Sequence, residues 1–172
     1  MNIFVDFVLL FTVVQSDASM VRTLGQKLQQ NTQCLNPEYL IFSPKGSSNT
    51  KMPVLIYLHG AGGVGDNIEK VKGQSMRVWQ SIVKFNKGPC IVVAPQCLKK
   101  TRKGKRGVWR AEDLNLLFHD LKVNLPVDSK RVYLTGNSMG GYGTWAWGAN
   151  NPEHFAAIAP VVGGIVRGEP KM

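Results

Sequence analysis

The run Arg131-Val132-Tyr133-Leu134-Thr135 leads directly into Gly136-Asn137-Ser138-Met139-Gly140. The first five residues have strand character, and Gly141 to Ala149 reads as a helix. A strand that must become a helix within a few residues needs a sharp bend, and Ser138 sits at its apex. A β-carbon at 136 or 140 would collide with the adjoining strand or helix, so glycine is required at both flanks. The pattern commits the chain to an architecture in which strands feed helices.

The rest of the chain repeats that alternation. Glu38 to Phe42 predicts a strand, followed by a turn at Ser43-Pro44-Lys45-Gly46 and a polar loop to Lys51. Val54-Leu55-Ile56-Tyr57-Leu58 is continuously apolar, as a strand buried on both faces should be. It enters His59-Gly60-Ala61-Gly62-Gly63, which is too glycine-rich for regular structure. Asn67 to Lys84 has helical periodicity through Ile68, Val71, Met76, Trp79, Ile82 and Val83. Ile91-Val92-Val93-Ala94 predicts a second buried strand, stopped by Pro95. Glu112 to Val123 carries Leu114, Leu117, Phe118 and Leu121 on one face of an amphipathic helix, which Pro126 ends. Phe155 to Val162 is a further strand. Strands alternating with helices over short connections predict an α/β fold, a mostly parallel sheet with helices on both faces.

The chain has 172 residues, enough for one domain with a substantial core. Its formal charge is +10, but Lys99, Lys100, Arg102, Lys103, Lys105 and Arg106 supply six of the positive charges within eight residues. The basicity is therefore local, and nucleic acid is not an expected partner. A solvated insertion is the favoured reading of this stretch, ahead of an anion-attracting rim or a nuclear-localisation run. Cys34, Cys90 and Cys97 are too few and too uneven for a disulfide scaffold. Cys90 and Cys97 stand about 23 Å apart along an extended strand. No His/Cys spacing suggests a metal, and no cofactor is expected. Residues 1–18 read as a cleavable secretion signal, from the apolar run Phe7 to Val14 and the small residues at Ser16 and Ala18. No Lys or Arg precedes that run and Asp6 borders it. The alternative is an N-terminal extension with Met20 as the start and a cytoplasmic protein. The run is too short to span a bilayer.

A serine hydroxyl attacks only when a base takes its proton, and the resulting tetrahedral oxyanion needs aimed donors. Donors are available. The N–H of Met139 follows Ser138, and the loop after His59 can present the N–H of Ala61 or Gly62. Each such donor is worth roughly 3 kcal/mol in comparable sites. The helix starting near Gly140 adds a positive dipole end. A phosphate cradle in residues 60–65 ranks low, because the loop lacks both the Gly-Lys-Ser/Thr of a P-loop and a dinucleotide spacing. Trp109 closes the basic loop, and two roles stay open for it: lining the acyl pocket or packing. Trp145 and Trp147 are two apart on a helix and cannot both be core.

Pro53 to Gly62, Ile91 to Cys97, Asp128 to Tyr142 with Gly143-Thr144-Trp145, and Phe155 to Pro160 together resemble the α/β-hydrolase superfamily. The likeness is to its phospholipase/carboxylesterase and feruloyl-esterase-like branch, which includes prolyl-oligopeptidase-type peptidases, and covers most of residues 38 to 166. The resemblance implies a three-layer sandwich with Ser138 as nucleophile. Ala61, Gly62 and Met139 would form the oxyanion hole, and the substrate would be a small-molecule ester. Trp109 and His59, beside that loop, are candidate substrate-binding residues, and a structural role in the loop is the favoured alternative for His59. In that fold the acid and the histidine follow the nucleophile in chain order, each after a further strand, whereas here only Glu169 is acidic after the Phe155–Val162 strand and no histidine lies beyond His154. The expectation is a domain over residues 19–172 that is incomplete at its C-terminus, nearly inactive alone, and prone to self-association through an exposed Phe155–Val162 edge.

Overall fold

The computed structural model describes residues 19–44, 50–85 and 88–164. Residues 1–18, on which the secretion-signal reading falls, lie outside them. Six strands and four α-helices follow in chain order: β1 (Ser19–Thr23), α1 (Gln26–Asn31), β2 (Leu35–Phe42), β3 (Met52–Leu58), α2 (Glu69–Phe85), β4 (Ile91–Cys97), α3 (Ala111–Asn124), β5 (Val127–Asn137), α4 (Met139–Asn150) and β6 (Ala157–Val161). They form one sheet in the order β1-β2-β4-β3-β5-β6. The β4-β3-β5-β6 portion is parallel and the β1-β2-β4 portion antiparallel. This is the mostly parallel α/β architecture that the alternation of elements predicts.

Alternate residues of the central strands feed two cores, which follows from the period of two in a strand. Ile91 and Val93 of β4 join Val54, Ile56, Val132 and Leu134 beneath Leu114, Leu117 and Leu121 of α3 and Trp147 of α4. Val92 and Ala94 face the other way, toward Val71 and Trp79 of α2. Helices thus cover both faces. Of the two helix α4 tryptophans, Trp147 is wholly buried and Trp145 is half-buried.

The boundaries move where long-range partners override local signals. β4 does not stop at Pro95 but continues to Cys97. Its pairing with β3 ends at Val93, and on the β2 side Pro95 stands opposite Tyr39, next to a register shift. A proline lacking an N–H fits where ladder bonding is interrupted. β1 and α1 carry no clear periodic signal and are additions to the sequence reading. Two buried acids of α3 hold that N-terminal segment. Asp113 accepts the backbone N–H groups of Gln33 and Cys34 at 2.8 and 2.6 Å. Asp120 accepts the Tyr39 hydroxyl at 2.7 Å. The thiols of Cys34 and Cys97 lie 3.7 Å apart, and all three cysteines are free and buried.

Candidate active site

Ser138 sits between β5 and α4 with φ 52° and ψ −115°. That left-handed conformation is costly for a residue with a side chain and persists only where its surroundings impose it. Several contacts do so here. The Ser138 N–H donates to the Val161 carbonyl at the end of β6 at 2.9 Å, and the Tyr142 N–H returns to the Ser138 carbonyl at 3.1 Å. Val162, next to that acceptor, is the other non-glycine described residue with positive φ. Packing is equally tight: a β-carbon on Gly140 would stand 1.9 Å from the Leu58 carbonyl oxygen, and one on Gly136 would stand 2.5 Å from the Gly140 oxygen. Both flanking glycines are thus required by close backbone approach. The Ser138 side chain is left exposed.

The loop after β3 comes up against this bend. A β-carbon built on Gly60 would lie 3.6 Å from Ser138 Cβ. Ala61–Gly63 forms one turn of 3-10 helix, closed by Gly63 N–H donating to the Gly60 carbonyl at 3.0 Å. The leading N–H groups of such a turn have no partner within it, and the same holds for Met139 as the first residue of α4. Ser138, Ala61 and Met139 share the lining of one cleft of about 530 Å³, whose other walls include Trp109, Tyr142 and Arg106. The sequence offers no signal for Tyr142 as a wall residue, because a contact across the fold leaves no local pattern, whereas Arg106 belongs to the basic stretch, for which an anion-attracting rim is a reading ranked behind a solvated insertion.

His59 is placed under the loop rather than in the cleft. Its ring is 1% exposed. Nε2 accepts the Cys97 N–H at 3.0 Å, so the ring proton is on Nδ1, which donates to the Gly60 carbonyl at 2.7 Å. Burial holds its pKa down to about 4, with a smaller opposing contribution from the Gly60 bond, so the ring is neutral near pH 7. The expectation that His59 borders the substrate is corrected: both nitrogens serve the backbone, and its role is to brace the loop. Trp109 is packed and also reaches the cleft. It is 8% exposed, donates from Nε1 to the His59 carbonyl at 3.1 Å, and still forms part of the cleft wall.

Gln96 is a supporting residue that sequence reasoning missed. From the end of β4 its amide donates to the Gly63 and Asn67 carbonyls, both at 2.9 Å, while its oxygen accepts from Asn36 at 2.7 Å. It shapes the glycine loop from below. Among the described residues no side chain hydrogen-bonds Ser138 Oγ. His119 is exposed on α3, and His154 packs against Phe118 and lies 3.4 Å from Glu153. The described residues contain no group of three or more His, Cys, Asp or Glu placed to hold a metal ion, and no helix among them is long and apolar enough to cross a membrane.

An exposed serine at a strained strand-to-helix bend, facing a glycine loop, on a mostly parallel sheet, defines the α/β-hydrolase class. The comparisons agree. A family profile described as "Putative esterase" matches residues 32–165, and the chain belongs to that family. "Feruloyl esterase C" of Emericella nidulans is 29% identical over 135 residues, which are 76% of this chain and 48% of that protein. "Probable feruloyl esterase C" of Aspergillus terreus is 27% identical over 132 residues, with the same coverage. The chain therefore spans about half the length of the curated relatives it matches. A crystal structure of a thermostable esterase superposes with a TM-score of 0.69 at 28% identity, over 88% of this chain and 42% of that one.

Proposed function

We propose that the site performs carboxylic ester hydrolysis through an acyl-serine intermediate. Ser138 Oγ attacks the ester carbonyl. The oxyanion is received by the N–H of Met139 and by that of Ala61 or Gly62, with the α4 dipole in support. Expulsion of the alcohol leaves Ser138 acylated, and water then releases the acid and restores the hydroxyl. The observation that carries this reading is the exposed Ser138, held at φ 52° within the same cleft as Ala61 and Met139. The esterase family and the feruloyl esterase relatives support the reaction class. A small ester is the substrate class that this chemistry demands.

No described histidine reaches Ser138 Oγ, so the general base is the part of the machinery the described residues do not supply. Removing the base from such a site leaves mainly the contribution of the oxyanion donors and of binding. This chain alone should therefore turn over esters slowly, and a ligand-binding role without turnover is the second reading. An alkyl fluorophosphonate separates the two. Covalent labelling detected by intact mass, abolished by Ser138→Ala, marks an activated nucleophile; absence of labelling at millimolar probe favours the binding role. Secretion and self-association through β6 belong to the same proposal. Among the described residues β6 is an outer strand of the sheet, and its Ala157, Ala159 and Val161 are exposed.

A further inference from the structure

The basic stretch is a built hairpin at the rim of the Ser138 cleft. Lys100 and Arg106 pair as an antiparallel bridge. Thr101 N–H donates to the Lys105 carbonyl at 2.7 Å, and Gly107 N–H donates to the Lys99 carbonyl at 2.9 Å. Arg102 clamps the hairpin to the N-terminal segment, donating from Nε to the Thr32 carbonyl at 2.6 Å, with its Nη2 on the Gln29 carbonyl. Anchored in this way, the hairpin places Arg106 in the wall of the cleft that also contains Ser138 and Trp109.

Among the described residues no acid pairs with its charges. Lys99, Lys100, Lys103, Lys105 and Arg106 are all exposed. The ion pairs among described residues are Arg22–Asp120, Lys72–Glu69, Arg110–Glu112, Arg131–Asp128 and His154–Glu153, none of which uses the hairpin. The acids of α3 are committed: Glu112 to Arg110, Asp113 to two backbone amides, and Asp120 to Tyr39. Such a concentration of one sign beside a low-dielectric cleft attracts anions and raises their local concentration. Arginine adds geometry, because its planar fork meets a carboxylate through two parallel N–H···O bonds.

We infer that the cleft selects an ester bearing a carboxylate away from the reacting carbonyl, held by Arg106, with the free lysines of the hairpin steering it in. The inference rests on the proposed ester chemistry at Ser138 but concerns a different group, so the two can fail separately. The test uses the full 172-residue chain carrying Ser138→Ala, which removes covalent chemistry. Tryptophan fluorescence is followed while titrating p-toluate and, separately, p-toluamide, which differ in charge and little in shape. The carboxylate should bind about tenfold more tightly at low salt, the scale of one charge-assisted contact. The difference should fall below twofold in Arg106→Gln, and Arg106→Lys should lie between. Raising the salt to about 0.5 M should shrink it, as screening requires. Equal affinity for the two ligands, or a preference that survives Arg106→Gln, overturns the inference. Phosphonate labelling with Ser138 restored reports on the ester chemistry independently.

Discussion

His59 shows how a polar residue can be decisive without touching a substrate. Its imidazole links the Cys97 amide of β4 to the Gly60 carbonyl, and its own carbonyl takes the Trp109 indole N–H. Three segments distant in sequence are thereby set around one ring. A ring held neutral in the fold, with a pKa near 4, but free to protonate near 6.5 when unfolded, makes stability depend on pH. The unfolded chain binds the extra proton first, so the contribution is complete above about pH 6.5 and is lost as the pH falls toward 4. Its full size is about 3 kcal/mol. Urea unfolding at pH 7 and at pH 4.5 should show a loss of that order in the wild type. A smaller loss is expected in His59→Gln, which keeps polar groups but does not titrate. Equal losses in both proteins would assign the acid sensitivity to other groups.

At the scale of elements, the β5–α4 bend depends on contact with β3. Gly140 lies where any side chain would enter the Leu58 carbonyl, and the atoms it would meet are all backbone of Leu58 and His59, which leaves little room for relaxation. Gly140→Ala should cost more than about 3 kcal/mol, well above the effect of alanine at an exposed helical glycine. Denaturant midpoints with an unchanged slope would measure it. A loss under 1 kcal/mol would mean that the bend does not pack as described.

This bend was legible in the sequence because its residues are local: two glycines, a serine and an apolar strand lie within ten residues, even though the Leu58 carbonyl that requires Gly140 comes from distant β3. The paired glycine loop and the buried strands β3 and β4 were legible for the same reason. β1 was not, because an edge strand with Met20 and Val21 about half exposed lacks the alternation of a buried face. α1 was not, because its six residues bury none of their side chains. The Pro95 boundary failed because the end of a strand is set by what its neighbours still offer. The Gln96 and His59 networks join residues roughly 30 or more positions apart, a distance over which sequence patterns are silent.

At the scale of the molecule, β6 is an outer strand of the sheet among the described residues. Ala157, Ala159 and Val161 are exposed on β6, and Val162 beyond it is 83% exposed. Among the described residues β6 pairs only with β5, and a strand edge left unpaired in this way is a template for pairing. Sedimentation at tens of micromolar should find dimers or larger species, and a charged substitution at Val161 should shift the distribution toward monomer. A single monomeric boundary over that range would contradict pairing through β6.

Acyl transfer at this site requires Ser138 Oγ to stand within reach of the amides of Met139 and of Ala61 or Gly62. A crystal structure of the phosphonate adduct tests it most directly. The phosphorus should be bonded to Ser138 Oγ, with its phosphoryl oxygen about 2.7–3.1 Å from the Met139 nitrogen and from that of Ala61 or Gly62. An adduct on another residue, or a phosphoryl oxygen turned away from both amides into solvent, would contradict it.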